Sequence, residues 1–587
     1  MLFVYENKCF AIDLSDNWNN EKKTIVEVPL SYFPDSLMEI RLSGISHSVY
    51  YGITNSSIPL YSLFDGSYNY NFIKQNIDIN LAKLNKNTTD SINLNKDSII
   101  SKILLYSGNK DGLLEGVSKG NIKNYFWSFT PVFESSGGYY YSNKKTANYT
   151  DLIFLENSAY QNIAFNVEGG IRNNKSSISL SALINISNLY VPINLNNLSP
   201  IKQHFSDYDE FIEMLKFENY FNENLKFEGN IFVKKFLRNF GSNIDTNSFP
   251  ITGYISSTQI DEYSYGGNLS ILTPLFIKQK DFKLTFNYSQ DVFLYSYIVK
   301  KWKLRAESEE LFIKASQAVP LTDFLSLNLS VELQQRAIIY SEFGKIPANN
   351  SNYNLDISSN YKLSDAQSFS VRLMKFAFVP FVSQYYDLNG TQQGNINLDP
   401  ENWLETDLRS NTNISNIGNI QAGIIFSTGN NVLYPSPSDS GKFTYLSAGL
   451  VKAVNLYCNF EIYWFNFKLA NLFSFALLNT NNSEIQLEPT YRVPKLADAF
   501  TMDYQFDFGL DLQLQANYNS GIRIFNQQES AIEYTKKSII FNFQAQQKFS
   551  NQYFYINLKN LTNEYYEYNY GIPEAGLNFQ IGIILSF

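Results

Sequence analysis

The stretch Leu325-Ser326-Leu327-Asn328-Leu329-Ser330-Val331-Glu332-Leu333 alternates apolar and polar residues without a break. Successive side chains of a β-strand point to opposite faces, so this period of two puts the leucines and Val331 on one face and Ser326, Asn328, Ser330 and Glu332 on the other. The length also suits a tilted strand that crosses a bilayer, which needs roughly 9 to 11 residues.

The same alternation recurs along the chain. Ile178, Leu180, Ala182, Ile184 and Ile186 oppose Ser177, Ser179, Ser181, Asn185 and Ser187, with Leu183 the one exception. Phe282, Leu284, Phe286 and Tyr288 oppose Lys283, Thr285, Asn287 and Ser289, and Leu510, Leu512, Leu514, Ala516 and Tyr518 oppose Asp511, Gln513, Gln515 and Asn517. Two folds fit: a large soluble antiparallel sheet with one wet face, or a membrane barrel with a lipid-facing exterior and a polar lumen.

Composition separates them. Aromatic residues are 16% of the 587, with 42 Tyr and 47 Phe, yet charged residues are only 17% and the mean hydropathy is slightly negative. A membrane barrel needs this balance, because lipid-facing and lumen-facing residues alternate and aromatic girdles mark both interfaces. No run approaches the roughly 18 to 20 apolar residues of a spanning helix, since polar residues interrupt even Asn466 to Leu478. The net charge of −9, without a basic cluster, argues against nucleic acid as a partner. With Cys9 and Cys458 the only cysteines, neither a disulfide framework nor a Cys-rich metal site is available.

Chemistry is sparse. His47 and His204 are the only histidines, and neither has an obvious nucleophile partner, so no catalytic residues, cofactor or His-based metal site are assigned and the chain reads as a non-enzyme. Asp207, Asp209, Glu210 and Glu213 form the densest acidic group, either a cation contact at a barrel rim or a hydrated strand edge. Tyr139-Tyr140-Tyr141 and Tyr565, Tyr566, Tyr568 and Tyr570 read as interfacial girdle residues or as stacking surfaces for sugars or flat cofactors. The segment Asp207 to Asn222 has Phe211, Met214 and Leu215 at helical spacing but reads as a strand beginning near Phe211. Turns are expected at Ser135–Gly138, at Gly169-Gly170 with Asn173-Asn174, and at Asn194–Pro200, Asn349–Tyr353 and Pro435–Gly441. Short and long connections are mixed, and their order is not legible here.

The chain closes on Phe579, Ile581, Ile583, Leu585 and Phe587 on one face, a pattern that resembles the membrane-assembly signal of outer-membrane barrels. Just before it, Asn557-Leu558-Lys559-Asn560-Leu561-Thr562-Asn563-Glu564-Tyr565-Tyr566, then Gly571-Ile572-Pro573 and Ala575-Gly576, resemble the final segment of TonB-dependent outer-membrane receptors, although Leu577 stands where that family commonly has Arg. Pro380, Tyr386 and Asn397-Leu398-Asp399-Pro400-Glu401 form a second match, with Phe378 in place of the usual Arg, and Glu488-Pro489-Thr490-Tyr491 before a strand Ala499–Phe506 a third. Val28-Pro29-Leu30, Met38 to Gly44 and Tyr51-Gly52 resemble the end of the family's plug domain, with departures at Ser43 and in Ile53 to Leu60.

The resemblance implies an all-β fold: a large antiparallel transmembrane β-barrel of about 22 strands over 65–587, with a short plug remnant over 1–64. The 587 − 64 = 523 residues allow about 24 per strand for the roughly 22 strands of outer-membrane transporters. It also implies uptake of a scarce nutrient of siderophore, cobalamin, haem or glycan class across a bacterial outer membrane, with ligand-binding residues unknown. The partners implied are outer-membrane lipid, the barrel-assembly machinery, an unknown small-molecule ligand and an inner-membrane TonB complex acting on a complete plug. Met1 to Lys8 lacks an export signal, and the expectation is that the signal, the TonB box and the first part of the plug lie upstream. A plugless diffusion porin, or a barrel scaffold for lipoproteins, is the alternative.

Overall fold

The computed structural model describes residues 98–586 apart from 109–110, 138–139, 143–151, 155–158, 192–201, 223–224, 244–255, 274–281, 298–301, 381–384, 387–391, 438–442, 481–495, 527–530 and isolated loop positions. The expected plug remnant over 1–64, the barrel start at 65, His47, Cys9, Glu488 to Tyr491 and Phe587 lie outside the described residues.

Alternation of the kind seen in 325–333 builds a sheet of 22 antiparallel strands. Each long strand pairs with the long strands before and after it. The first, Ser98–Gly108, pairs with Asp111–Ile122 and also with the last, Asn578–Ser586, from Lys102 opposite Ser586 to Gly108 opposite Gln580. That pairing closes the sheet into a barrel and leaves no edge to template aggregation.

Burial runs opposite to that of a soluble sheet. In Ser176–Val191, Ser179, Ser181, Asn185 and Ser187 are buried, while Ile178, Ile184 and Ile186 are exposed and Leu180 is 59% exposed. Asn287 and Ser289 are buried beside exposed Phe286 and Tyr288, and Gln515 and Asn517 beside exposed Leu514. Water would reverse this arrangement, because exposed apolar surface is costly there; lipid reverses the preference. The soluble alternative therefore fails on the orientation of the faces, and the barrel crosses a membrane.

Because strand direction alternates, every second connection reaches the same rim. One rim carries tight turns such as 123–124, 173–175, 465–466 and 550–551; the other carries the wide connections 137–159, 379–400, 431–450, 520–537 and 560–577. The mixture in the sequence is thus largely sorted by side, with 109–110 and 298–301 short connections on the second rim and 274–281 a longer one on the first. Aromatic residues gather at the tight-turn rim, where Phe467 and Tyr504 lie 4.4 Å apart, Tyr504 and Phe506 4.5 Å, and Phe506 and Phe508 5.2 Å between ring centroids. They continue through Trp464 to Phe465, which is 92% exposed, and form a belt suited to the membrane–water interface.

Wall height is uneven. The strands from Lys202 to Ser341 are 16 to 21 residues long, and those from Leu496 to Ser586 are 8 to 12.

Three local expectations are corrected. The strand expected from Phe211 begins at Lys202, and it sends Met214 to the lumen and Leu215 outward, so their helical spacing is incidental. Gly169 and Gly170 lie inside the strand Tyr160–Arg172 rather than in a turn. A Cβ on Gly170 would meet Phe126 Cζ at 2.7 Å and the Ile178 carbonyl at 2.4 Å, so the glycine makes room for a ring. Residues of three further expected turns belong to strands, Tyr125–Ser136, Asn350–Lys362 and Leu433–Pro437.

Candidate functional site

The pleat places polar groups on the lumen side of the tall sector and lines them up across neighbouring strands. Lys234 stands opposite Ser264, Ser264 opposite Asp291, and Asp291 opposite Ser308. Glu210, Glu262, Glu310 and Arg336 flank this row, and all eight residues are buried. Buried charge is costly unless it is paired and hydrogen-bonded. Lys234 Nζ accordingly lies 2.9 Å from Glu210 Oε1, Arg336 Nη2 lies 3.2 Å from Glu310 Oε1, and Ser264 Oγ donates to Asp291 Oδ1 at 2.6 Å. With four carboxylates to two cations, the belt attracts positive charge.

Toward the wide-connection rim the same lumen face turns apolar, with Phe293, Tyr295, Ala306 and Ile338 all buried. What covers them comes from the connection 379–400: Tyr385, Tyr386 and Leu398 pack into this cluster. Phe343 supports it, stacked on Tyr386 at 5.5 Å and edge-on to Tyr295 at 6.3 Å. Burying each large side chain contributes roughly 1.5–3 kcal/mol. Both tyrosine hydroxyls are satisfied: Tyr386 donates to the Lys345 carbonyl at 3.0 Å, and Asn350 Nδ2 donates to Tyr385 at 2.9 Å. Burial pushes the Tyr385 phenol up to about 12 and raises that of Tyr386 as well.

The connection is compact. A Cβ on Gly394 would lie 2.4 Å from the Tyr385 carbonyl and 2.5 Å from Tyr386 Cα, so only glycine lets the returning chain rest on the two tyrosines. Gln392–Gln393 then pairs in parallel with Phe443–Ser447, which pairs antiparallel with Leu433–Pro437, so the neighbouring connection 431–450 is tied to the first.

Further round the wall, Arg409 donates to Asp407 at 2.6 Å and to the Tyr457 hydroxyl at 2.9 Å, and Ser427 donates to Glu405 at 2.8 Å. Among the described residues of the short sector the fully buried polar residues are neutral, Thr501, Gln515, Asn517 and Asn519 among them, while Asp511 is half-buried. Among the described residues, no group of three or more His, Cys, Asp or Glu is placed to hold a metal ion. Among the described residues the geometry is that of a polar, charge-bearing lumen face with an apolar patch covered by Tyr385, Tyr386 and Leu398.

No family model and no curated protein matches the sequence. Solved structures do match the fold. The chain is similar to the copper transporter OprC, with a TM-score of 0.72 at 10% identity over 84% of this chain and 83% of that one. It is similar to the FrpB iron transporter from Neisseria meningitidis (F5-1 variant), with a TM-score of 0.69 at 12% identity over 84% and 83%. The siderophore receptor PirA from Acinetobacter baumannii gives 0.65 at 11% identity over 84% and 81%. The fold is that of the TonB-dependent receptors.

Within this receptor fold the late sequence motif explains itself in hydrogen bonds. Asn560 Oδ1 accepts from the Glu564 amide and its Nδ2 donates to the Glu564 carbonyl, both at 2.8 Å, while Asn563 Oδ1 accepts from the Leu577 amide at 3.0 Å. The connection 560–577 reaches past the first two strands, where the Gly576 amide donates to the Tyr140 carbonyl at 2.8 Å. Tyr141 and Tyr565 meet edge-on at 6.3 Å and Tyr565 is buried, so this pair fastens two connections together and is not a membrane girdle. The terminal strand exposes Phe579 and Ile581 outward, in series with the half-buried Ile583 and Leu585.

The acidic group is divided by the pleat. Glu210 faces the lumen and pairs with Lys234, whereas Asp207 accepts from Asn239 at 2.5 Å and Glu213 is exposed, so the four acids form no common site. His204 lies in the wall opposite Tyr190 and Gly241. The expectations missed the belt and the seat of Tyr385 and Tyr386. One clue was present: along one face Asn287, Ser289 and Asp291 give way to Phe293 and Tyr295, which an open polar lumen would not favour.

Proposed function

We propose that the chain is an outer-membrane transport protein that takes up a scarce nutrient through its lumen. The observation that supports this best is the closed 22-stranded barrel with an inward polar face, shared in fold with proteins described as copper, iron and siderophore transporters or receptors. In this reading residues 1–64 form the C-terminal part of a plug, 65–587 the barrel, and a TonB complex acts on the plug; the protein catalyses no covalent step. Phe579, Ile581, Ile583, Leu585 and Phe587 serve as the signal read by the barrel-assembly machinery. The ligand is a siderophore, cobalamin, haem or glycan.

Calorimetric titration of the refolded chain against a ferric siderophore panel, cobalamin, haem and oligosaccharides tests this reading, together with single-channel recording. Saturable binding of one ligand class supports a receptor. A large steady conductance without saturable binding supports a diffusion porin instead, and co-purification of a lipoprotein without either supports a scaffold.

A further inference from the structure

We propose that Tyr140 and Tyr141, held against Gly576 and Tyr565, form a releasable clasp over the joint between the first and last strands. The barrel is closed twice there, once by its ladder and once by the clasp, and the joint opens from the clasped rim when the clasp lets go.

The ladder that closes the barrel is short. Lys102–Gly108 pairs with Gln580–Ser586 over seven residues, whereas Phe282–Tyr297 in the tall sector pairs over sixteen with each neighbour. The first strand gains little from its other side. Its partner Asp111–Ile122 sets Gly112, Gly116 and Gly120 opposite Ser107, Ile103 and Ile99, and a glycine inside a strand brings no side chain to the cross-strand pairs that stabilise a sheet. The far side of the last strand is better held. A Cβ on Gly582 would run into the ring of Tyr555, which lies across it from the strand Gln552–Lys559. The slack is therefore on the side of the first strand.

Surroundings decide which way the joint parts. Backbone groups separated in hydrocarbon find no water to replace their lost bonds, so opening starts at a rim and works inward. At the wide-connection rim the joint ends with Gly108 opposite Gln580, and the clasp stands there. The Gly576 amide, just ahead of the last strand, donates to the Tyr140 carbonyl at 2.8 Å. Tyr140 opens the short strand Tyr140–Ser142, just beyond Ser136, where the strand Tyr125–Ser136 ends. Two strands stand between Ser136 and Asn578, a span of three strand spacings or about 14 Å. The bond thus ties the wall on one side of the joint to the wall on the other.

The two halves of the clasp differ in firmness. Tyr565 is buried, and the chain that carries it is bonded back to the wall: the Asn560 amide donates to Asn542 Oδ1 at 2.9 Å, and Asn563 Oδ1 accepts from the Leu577 amide at 3.0 Å. Asn560 and Asn563 take left-handed φ values of 51° and 48°, a region that asparagine enters more readily than most residues. Against this fixed half, Tyr141 adds an edge-on ring contact at 6.3 Å to the single backbone bond of Tyr140. Release breaks only those two contacts.

Hydrogen exchange of the full chain in lipid nanodiscs, read by mass spectrometry, tests the clasp. In the parent, peptides covering Leu104–Gly108 and Gln580–Leu585 should exchange faster than those covering Phe286–Phe293, because exchange follows the open population. Tyr141→Ala combined with Tyr565→Ala should speed exchange at the joint about tenfold and leave Phe286–Phe293 unchanged. Tyr141→Phe keeps the ring and should match the parent. Retained heat-modifiable gel mobility establishes that each barrel is folded. Should the double variant fail to fold, Tyr141→Ala alone removes the ring contact from the looser half, and the parent's own contrast still decides whether the joint is weak.

Exchange at the joint as slow as at Phe286–Phe293 in the parent overturns the proposal. So does a folded variant lacking the Tyr141 ring whose joint exchanges no faster, or one that accelerates equally in every region.

Discussion

The wall between Lys202 and Ser341 and the wall between Leu496 and Ser586 do the same job outwardly and different jobs inwardly. Both present apolar side chains to lipid, Ile231 and Val233 in the first and Leu514 and Phe554 in the second. Inside, the tall sector buries Glu210, Lys234, Glu262, Asp291, Glu310 and Arg336 and carries a seated connection, whereas among the described residues of the short sector the fully buried polar residues are neutral, such as Thr501, Gln515 and Asn517, and Asp511 is half-buried. The lipid face is held to one chemistry by its solvent, while the lumen face is free to differ from sector to sector. Function is therefore to be sought where the inner face departs from the simplest polar lining.

The sharpest way to break this comparison is to unbalance the inner faces. Lys234→Met leaves Glu210 buried without the cation now at 2.9 Å, and it should destabilise the barrel by about 3–5 kcal/mol. Gln515→Leu in the short sector removes one accepted hydrogen bond from Asn542 and should cost about 1 kcal/mol. Urea midpoints in lipid vesicles measure both, and equal losses would dissolve the distinction.

The outer faces should respond alike. Ile231→Arg and Leu514→Arg each put a charge into the lipid-facing band at a cost of about 2–4 kcal/mol at mid-depth. A large difference between them in the same unfolding assay would mean that one sector is not bathed in lipid.

A third prediction concerns the seat alone. Tyr385 holds its proton up to about 12 in the fold, against 10.0 for an ordinary phenol. The folded pKa is the higher one, so the seat's contribution is complete below pH 10.0 and is lost as pH rises toward about 12. Maleimide labelling of a thiol introduced by Ile338→Cys should therefore accelerate across that window, after correction for maleimide reactivity, and Tyr385→Phe should reduce the acceleration to the part that the likewise raised Tyr386 contributes. That variant also removes the bond from Asn350, at a cost of about 1 kcal/mol.

The smallest effect is expected at the short sector's rim. Lys536 and Glu564 lie 2.6 Å apart but are both solvent-accessible, so Lys536→Ala should change stability by less than about 1 kcal/mol and less still in high salt. A greater loss would show that the connection 560–577 fastens the seam more tightly than its surface position implies.

How far the sequence could be read follows from which interactions are local. The faces of 177–187, 282–289, 325–333 and 510–518 are written in a period of two, whereas the strand total of 22 came from the family resemblance, with which the chain length agrees. Leu183, the exception in its strand, faces the lumen with its serine neighbours and breaks nothing in the register. The beginning of the strand at Lys202 was missed because Asp207, Asp209 and Glu210 weaken the apolar pattern just where the wall rises tallest. The seat was missed because Tyr385 and Ile338 are joined by a path that skips a strand, and such pairing leaves no periodic trace. Gly170 looked like a turn and proved to be a gap for Phe126, a contact across strands that spacing alone does not encode.

Twenty-two is an even number, and each strand crosses the wall once. Ser98 and Ser586 therefore stand at the same rim, the one with the tight turns. A reporter joined ahead of the first strand or behind the last would be delivered to one compartment, and a peptide spliced into a wide connection would be displayed in the other. Parity makes the barrel a two-sided mount on which the site of genetic insertion alone selects the audience.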